Sequence, residues 1–185
     1  MKRVIVCLLL ASVAGCGSEP SQQSGQESVK PAPPAVDIFT AAGEGNLEAV
    51  KQHIAAGTDL NQRAPDDQKS TPLMIASTFG RVEAAQALIA AKVNLDLQNK
   101  DGNTALSIAA FLCHTDIVQA LLKKGANKNI RNKDGITALD GVQLPWDVSK
   151  PVYEVLNGIF FQPAGMPLDY ERIEATRPRI AKMLR

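Results

Sequence analysis

The chain of 185 residues is short of the side chains that most chemistry needs. It has three cysteines, and two of them, Cys7 and Cys16, fall near the start, so the body of the chain holds Cys113 alone and has no partner for an internal disulfide. Its two histidines, His53 and His114, lie far apart and with Cys113 offer no metal-ligand spacing, so no metal and no cofactor is expected. Charge of one sign is also missing. Twenty basic residues face 19 acidic ones, a net +1 at pH 7, which leaves no basic face for nucleic acid or for a polybasic membrane contact. The apolar run from Val4 to Val13 spans about ten residues, too short to cross a hydrocarbon core of about 30 Å as a helix.

That run has a different meaning. Lys2 and Arg3 precede it as a basic n-region, and it ends at Val13-Ala14-Gly15-Cys16, so Met1 to Cys16 reads as a secretion signal. The tetrad Val13 to Cys16 resembles the lipobox of bacterial lipoproteins. The resemblance implies that residues 1–15 are removed and that Cys16 receives a diacylglyceryl group and further acylation on its new amino terminus. An ordinary signal peptide cut nearby, releasing a soluble protein, is the alternative. One acyl chain anchors only marginally, whereas two or three on one cysteine hold a protein at a bilayer essentially for good. Gly17 stands where enteric lipoproteins carry an Asp that retains them at the inner membrane, which implies a cell-envelope protein on the outer membrane, facing the periplasm. With Lys2 and Arg3 gone, 18 basic residues face 19 acidic ones, and the mature charge is about −1.

After the lipidated cysteine, residues 16–35 are rich in Ser, Gln, Gly and Pro, with Val29 as the one branched apolar side chain before Ala35. Such a composition buries too little apolar surface to offset its ordering entropy, so it reads as a tether. Pro31 to Pro34 stiffen its end. A processed propeptide is the alternative.

Beyond Ala35 the chain repeats itself. Thr71 to Asn103 aligns with Thr104 to Ile136, and Thr71, Thr104 and Thr137 recur every 33 residues. Leu73, Leu106 and Leu139 match, as do Ala76 and Ala109, Ala87-Leu88 and Ala120-Leu121, and the pentads Gln98 to Gly102 and Arg131 to Gly135. Thr71 and Thr104 suit helix caps, and Pro72 suits a first helical position, where its missing amide proton is not needed. Second helices over Val82 to Ala91 and Thr115 to Lys124 gather Val82, Ala85, Leu88 and Ile89, then Ile117, Val118, Leu121 and Leu122, on one apolar face. Gly125 supplies a left-handed residue after the second of them, and Asp101-Gly102 and Asp134-Gly135 supply hairpin turns.

A period of 33 with this pattern resembles the ankyrin repeat. The resemblance implies an all-α solenoid of about three to four helix-turn-helix repeats over residues 36–156, with short hairpin fingers, closed by a helical cap over residues 157–185. An atypical first copy runs from Asp37 to Ser70 without the Thr-Pro-Leu opening, as terminal repeats allow. The fourth copy degrades: Thr137-Ala138-Leu139 starts a helix, Leu144-Pro145-Trp146 interrupts it, and Val152 to Leu156 reads as its second helix. Asp169 to Thr176 and Pro178 to Leu184 read as capping helices. Trp146, Phe160 and Phe161 read as cap packing, and His53 as structural or solvent-facing. Three departures stand out. Lys92 and Cys113 occupy places that favour glycine, at about 1 kcal/mol each if left-handed. Met74, Ser107 and Asp140 replace the His of the family's Thr-Pro-Leu-His, so its hydrogen bond is expected to be missing.

A repeat stack of this kind implies a protein-binding module with no catalysis of its own, expected to act as a monomer on a protein partner. The variable positions that carry binding in the family fall on Gln68, Ser70, Thr78, Phe79, Lys100, Asp101, Asn103, Phe111, Leu112, Lys133, Asp134 and Ile136. Phe79, Phe111 and Leu112 read as an apolar anchor with Lys100 and Lys133 as its polar rim. Packing of those rings against the next repeat or the cap is the alternative. Resemblance to periplasmic ankyrin proteins of oxidative-stress defence, and to immunity proteins that block a toxin, implies control of an enzyme or toxin as a second reading. A weak hydrolase using Cys113 and His114 is the third, although neighbours at a tight turn point apart and no third group orients them. Gly43-Glu44-Gly45 reads as a helix turn, not a phosphate loop.

Overall fold

Three threonines set the frame. In the computed structural model, which describes residues 31–185, Thr71, Thr104 and Thr137 each accept a hydrogen bond from the amide three residues on, at Met74, Ser107 and Asp140. The signal peptide, the lipobox and Cys16 lie outside the described residues. Contrary to expectation, the position vacated by His still makes a bond. Ser107 Oγ accepts from the Thr104 amide at 2.9 Å and Asp140 Oδ2 from the Thr137 amide at 3.0 Å, while Met74 Sδ sits 3.4 Å from the Thr71 amide. A short acceptor at this place closes a reciprocal cap by the same logic.

From these caps the chain builds paired helices: α1 (Ile38–Glu44) with α2 (Leu47–Ala56), α3 (Pro72–Thr78) with α4 (Val82–Ala90), and α5 (Ala105–Phe111) with α6 (Thr115–Lys123). First helices stack on first helices and second on second, and no strand forms among the described residues. The first copy starts differently, with Asp37 capping α1 through the amides of Phe39 and Thr40 at 2.9 and 3.0 Å. Leu73, Leu88, Leu106, Ile117 and Leu121 are buried between layers, and alanines 76, 85, 109 and 110 let the helices close up. No helix among the described residues is long and apolar enough to cross a membrane.

Each hairpin also reaches across to the one before. Arg81 Nε donates to the Gly43 carbonyl at 2.8 Å, and His114 Nε2 donates to the Thr78 carbonyl at 3.3 Å, one repeat later. This explains a glycine at the turn: a Cβ on Gly80, which sits at φ +63, would lie 2.5 Å from the His114 ring. Lys92 at φ 60 and Cys113 at φ 59 take the left-handed conformation without being glycine, as expected.

The fourth copy diverges. Helix α7 (Ala138–Gln143) stacks on α5 and ends where Pro145 holds Leu144 extended. Helix α8 (Trp146–Leu156), a π-helical turn at Asn157–Phe161, and α9 (Tyr170–Leu184) follow. Val152 to Leu156 therefore belongs to α8, but α8 is not the second helix of the repeat. That place is taken by α9, which packs on α7 as α6 packs on α5 and runs alongside α6. At its start Arg172 Nη1 donates to the Cys113 carbonyl at 3.3 Å, and at its end the Arg185 carbonyl accepts from Lys128 Nζ at 2.7 Å. Residues 145–168 are thus an insertion between the two helices of one repeat. Helix α9 is also a single element, where a break at Pro178 was expected. Pro178 and Glu174 lie on its exposed side, so the freed carbonyl faces water, while Ile173, Arg177, Ile180 and Leu184 are buried and hold both halves.

Two substitutions test this account by urea unfolding. Gly80→Ala combines backbone strain with a clash against His114 and is expected to lower stability by about 1–3 kcal/mol. Lys92→Gly relieves strain at an exposed site and is expected to gain about 0.5 kcal/mol, the glycine's added freedom in the unfolded chain offsetting part of the relief.

Candidate binding surface

The fingers are joined by main-chain bonds that repeat with the period. The Lys100 amide donates to the Gln68 carbonyl and the Lys133 amide to the Asp101 carbonyl, each at 2.9 Å. Asn99 and Asn132 organise the tips. Asn99 Oδ1 accepts from the amides of Asp101 and Asn103, and Asn132 Oδ1 from those of Asp134 and Ile136. These asparagines were not singled out in the sequence, though their 33-residue spacing was a usable signal. The tips present Gln68, Lys100, Asp101, Lys133 and Asp134 to solvent, with Ser70, Asn103 and Ile136 half-buried beside them. The expected finger positions therefore share one surface.

The expected apolar anchor packs against the chain itself, Leu112 wholly and the half-buried rings of Phe79 and Phe111 in part. Leu112 is 3% exposed and belongs to the core. Phe111 stacks on Tyr153 of α8, with ring centroids 4.4 Å apart, and Phe79 meets Phe161 edge-on at 5.8 Å. Thr78, half-buried, spends its hydroxyl on the Met74 carbonyl at 3.0 Å and its carbonyl on His114. The insertion thus lies over the ends of α5 and α3. It continues to the first repeat, where Met166 Sδ lies 2.9 Å from Arg81 Nη2 and a groove of about 470 Å³ opens between α1, Phe79, Arg81 and the Ala164–Met166 stretch.

Arg177 pins the insertion. Its buried guanidinium donates to Tyr153 Oη at 3.1 Å, to the Leu144 carbonyl and to the Gly141 carbonyl at 3.5 Å, beneath the Trp146 ring at 5.8 Å. Tyr153 Oη in turn donates to the Phe111 carbonyl at 2.6 Å. Burial pushes the Tyr153 phenol up to about 12, against the pull of Arg177, so it stays a neutral donor.

Cys113 and His114 are not a nucleophile and base. The Cys113 thiol is buried against α9, where it points at the Ile173 carbonyl at 3.5 Å, and burial pushes it up to about 11. His114 points the other way, to Thr78, and burial lowers its pKa, so at neutral pH it is an uncharged donor between repeats. His53 is structural: buried, it bridges Thr58 Oγ1 at 3.0 Å and the Val36 carbonyl at 2.8 Å, tying the segment before α1 to α2. No group of three His, Cys, Asp or Glu that could hold a metal occurs among the described residues.

This geometry belongs to a class of protein-interaction scaffolds, and the comparisons agree. A family model described as ankyrin repeats (three copies) matches residues 38–132, just over half of the chain. The chain belongs to the ankyrin-repeat family. It is 38% identical over 66 residues to protein phosphatase 1 regulatory subunit 27 of Homo sapiens and of Mus musculus, covering 36% of this chain and 42% of theirs. It is 33% identical over 69 residues to the DNA-binding protein RFXANK of Homo sapiens, covering 37% of this chain and 26% of that one. It thus spans less than half the length of these relatives.

Arg177→Ala leaves two carbonyls unsatisfied and frees the insertion, and is expected to lower stability by about 2–4 kcal/mol in urea. The two neighbours at the α5–α6 turn give opposite pH dependences. His114 has a folded pKa below its ordinary 6.5, so its contribution is full above that value and is lost as pH falls below it; His114→Gln should flatten the acid limb of the stability profile. Cys113 has a folded pKa raised from 9.0, so its contribution is full below pH 9 and is lost as pH rises toward 11. An aromatic disulfide reagent at pH 8 should label Cys113 only as the chain unfolds.

Proposed function

We propose that this protein is a lipid-anchored scaffold of a cell envelope, held through acylated Cys16 on the periplasmic face of an outer membrane, that binds a protein partner through its fingers and performs no chemistry itself. The observation that carries the binding half is the regular ladder of fingers. It holds Gln68, Lys100, Asp101, Lys133 and Asp134 on one rigid surface, where side-chain identity can change without disturbing the stack. The lipobox at Val13 to Cys16 supports the anchor. Likeness to a phosphatase regulatory subunit favours an enzyme or toxin as the partner, with the scaffold as its accessory or immunity factor.

Mass spectrometry of the protein recovered from envelopes should find its amino terminus at Cys16 carrying acyl chains, and Cys16→Ser should move it to the soluble fraction. An unmodified amino terminus would remove the anchor. Photo-crosslinkers placed at residues 100 and 133 should capture one reproducible partner in intact cells, and Asp101→Lys with Asp134→Lys should cut that yield at least about tenfold. No loss from this charge reversal would remove the fingers from the interface.

A further inference from the structure

Apart from Val36 at the root of the repeat domain, every large apolar side chain that is exposed among the described residues lies on the insertion. Val148, Val152, Val155, Ile159 and Phe160 are between 49% and 61% exposed. Their spacing of four, three and four residues from 148 to 159 draws one stripe along α8 and its π-helical extension. Pro151 and Gly158 beside it are exposed as well. The groups of the insertion and its contacts that suit a specific protein interface are engaged within the molecule: Tyr153 bonds to Phe111, Arg177 to Tyr153 and the Gly141 and Leu144 carbonyls, and the half-buried Trp146 packs on Tyr153 and Arg177. The stripe itself carries no hydrogen-bonding anchor, which makes it a poor hot spot for a protein partner and sufficient for the acyl boundary of a bilayer.

We propose that this stripe is a membrane-docking face, which lays α8 in the interface of the bilayer to which the chain is anchored and thereby fixes the direction in which the fingers point. The inference rests on the lipid-anchor reading above. The chain outside the described domain supports it. Cys16 lies 20 residues before Val36, a span of at most about 70 Å, so every face of the domain is within reach of the anchored surface. The far end of the insertion, Met166, meets Arg81, which holds the Gly43 carbonyl at the C-terminal end of α1, one short helix, about 10 Å, from its other end at Asp37, where the tether enters. Charged neighbours on α8 are Asp147, Lys150 and Glu154, the last two an ion pair at 3.9 Å, so no basic cluster adds attraction to anionic lipid. Insertion of the stripe alone is therefore weak, and it depends on the high local concentration a tether provides.

The test uses the chain from Cys16 to Arg185, made without lipid and coupled at Cys16 to a maleimide phospholipid in phosphatidylethanolamine–phosphatidylglycerol vesicles. Buried Cys113 does not compete for the reagent. Because this tether is chemical, the result stands whether or not the cell acylates Cys16, which mass spectrometry decides separately. With Phe160→Trp as the reporter, brominated lipid should quench roughly half or more of the added emission when tethered and little when free. Val155→Glu with Ile159→Glu should abolish the quenching and leave thermal unfolding unchanged. An equally unquenched reporter on tethered vesicles overturns the proposal, as does quenching that survives the double substitution. A blue-shifted reporter in the free protein, with a doubled mass by light scattering, also overturns it, by assigning the stripe to a second copy of the chain.

Discussion

A helical hairpin of two short helices has more apolar face than it can cover by itself, so every layer of this protein depends on the next. Helix α6 packs on α5, its own hairpin partner, and between α4 and α9, and its Ile117 and Leu121 are fully buried. The polar cross-links follow the same rule. Arg81 and His114 carry no capping bond for their own helices and instead reach back to a carbonyl of the preceding repeat. Stability in such a stack is a sum of neighbour terms, and it fails at the ends unless something closes them.

The C-terminal end is closed by lengthening a repeat rather than by appending a cap. Residues 145–168 leave the solenoid after α7, cross back over Phe111 and Phe79, and return so that α9 can complete the fourth hairpin. Arg177 makes the detour hold. A buried guanidinium without a carboxylate is tolerated because it satisfies the last carbonyls of α7 and the Tyr153 hydroxyl at once. Cys113 shows a related compromise: its left-handed backbone is strained, but its thiol fills the space against α9.

For function, the insertion divides the surface in two. The fingers keep the family's charged and polar display, while the aromatic positions at the helix ends are already occupied by the chain's own Tyr153 and Phe161. Phe79 and Phe111 are therefore not bare at the surface but lie partly beneath the insertion. The stacking capacity of Phe79 and Phe111 is spent in part within the molecule, on Phe161 and Tyr153.

The repeat was legible in the chain because everything that defines it is local. Thr-capped first helices, the left-handed Lys92 and Cys113, and the finger turns all follow from contacts within about 33 residues, and that spacing is printed in the sequence as periodicity. Even the second helices of the two middle repeats were placed to within a residue. What escaped was non-local. The bond from Tyr153 to Phe111 spans 42 residues and that from Cys113 to Ile173 spans 60; the first arises from an insertion that has no repeat to compare with, the second from a helix that the insertion displaces along the chain. Sequence alone determined the architecture of stacked hairpins, since it rests on short-range pattern. Only tertiary structure decided that α9 completes the last repeat, that Phe79 and Phe111 are partly covered, and that the exposed apolar surface moves to α8, because burial of an unpaired face is settled by whichever distant segment reaches it.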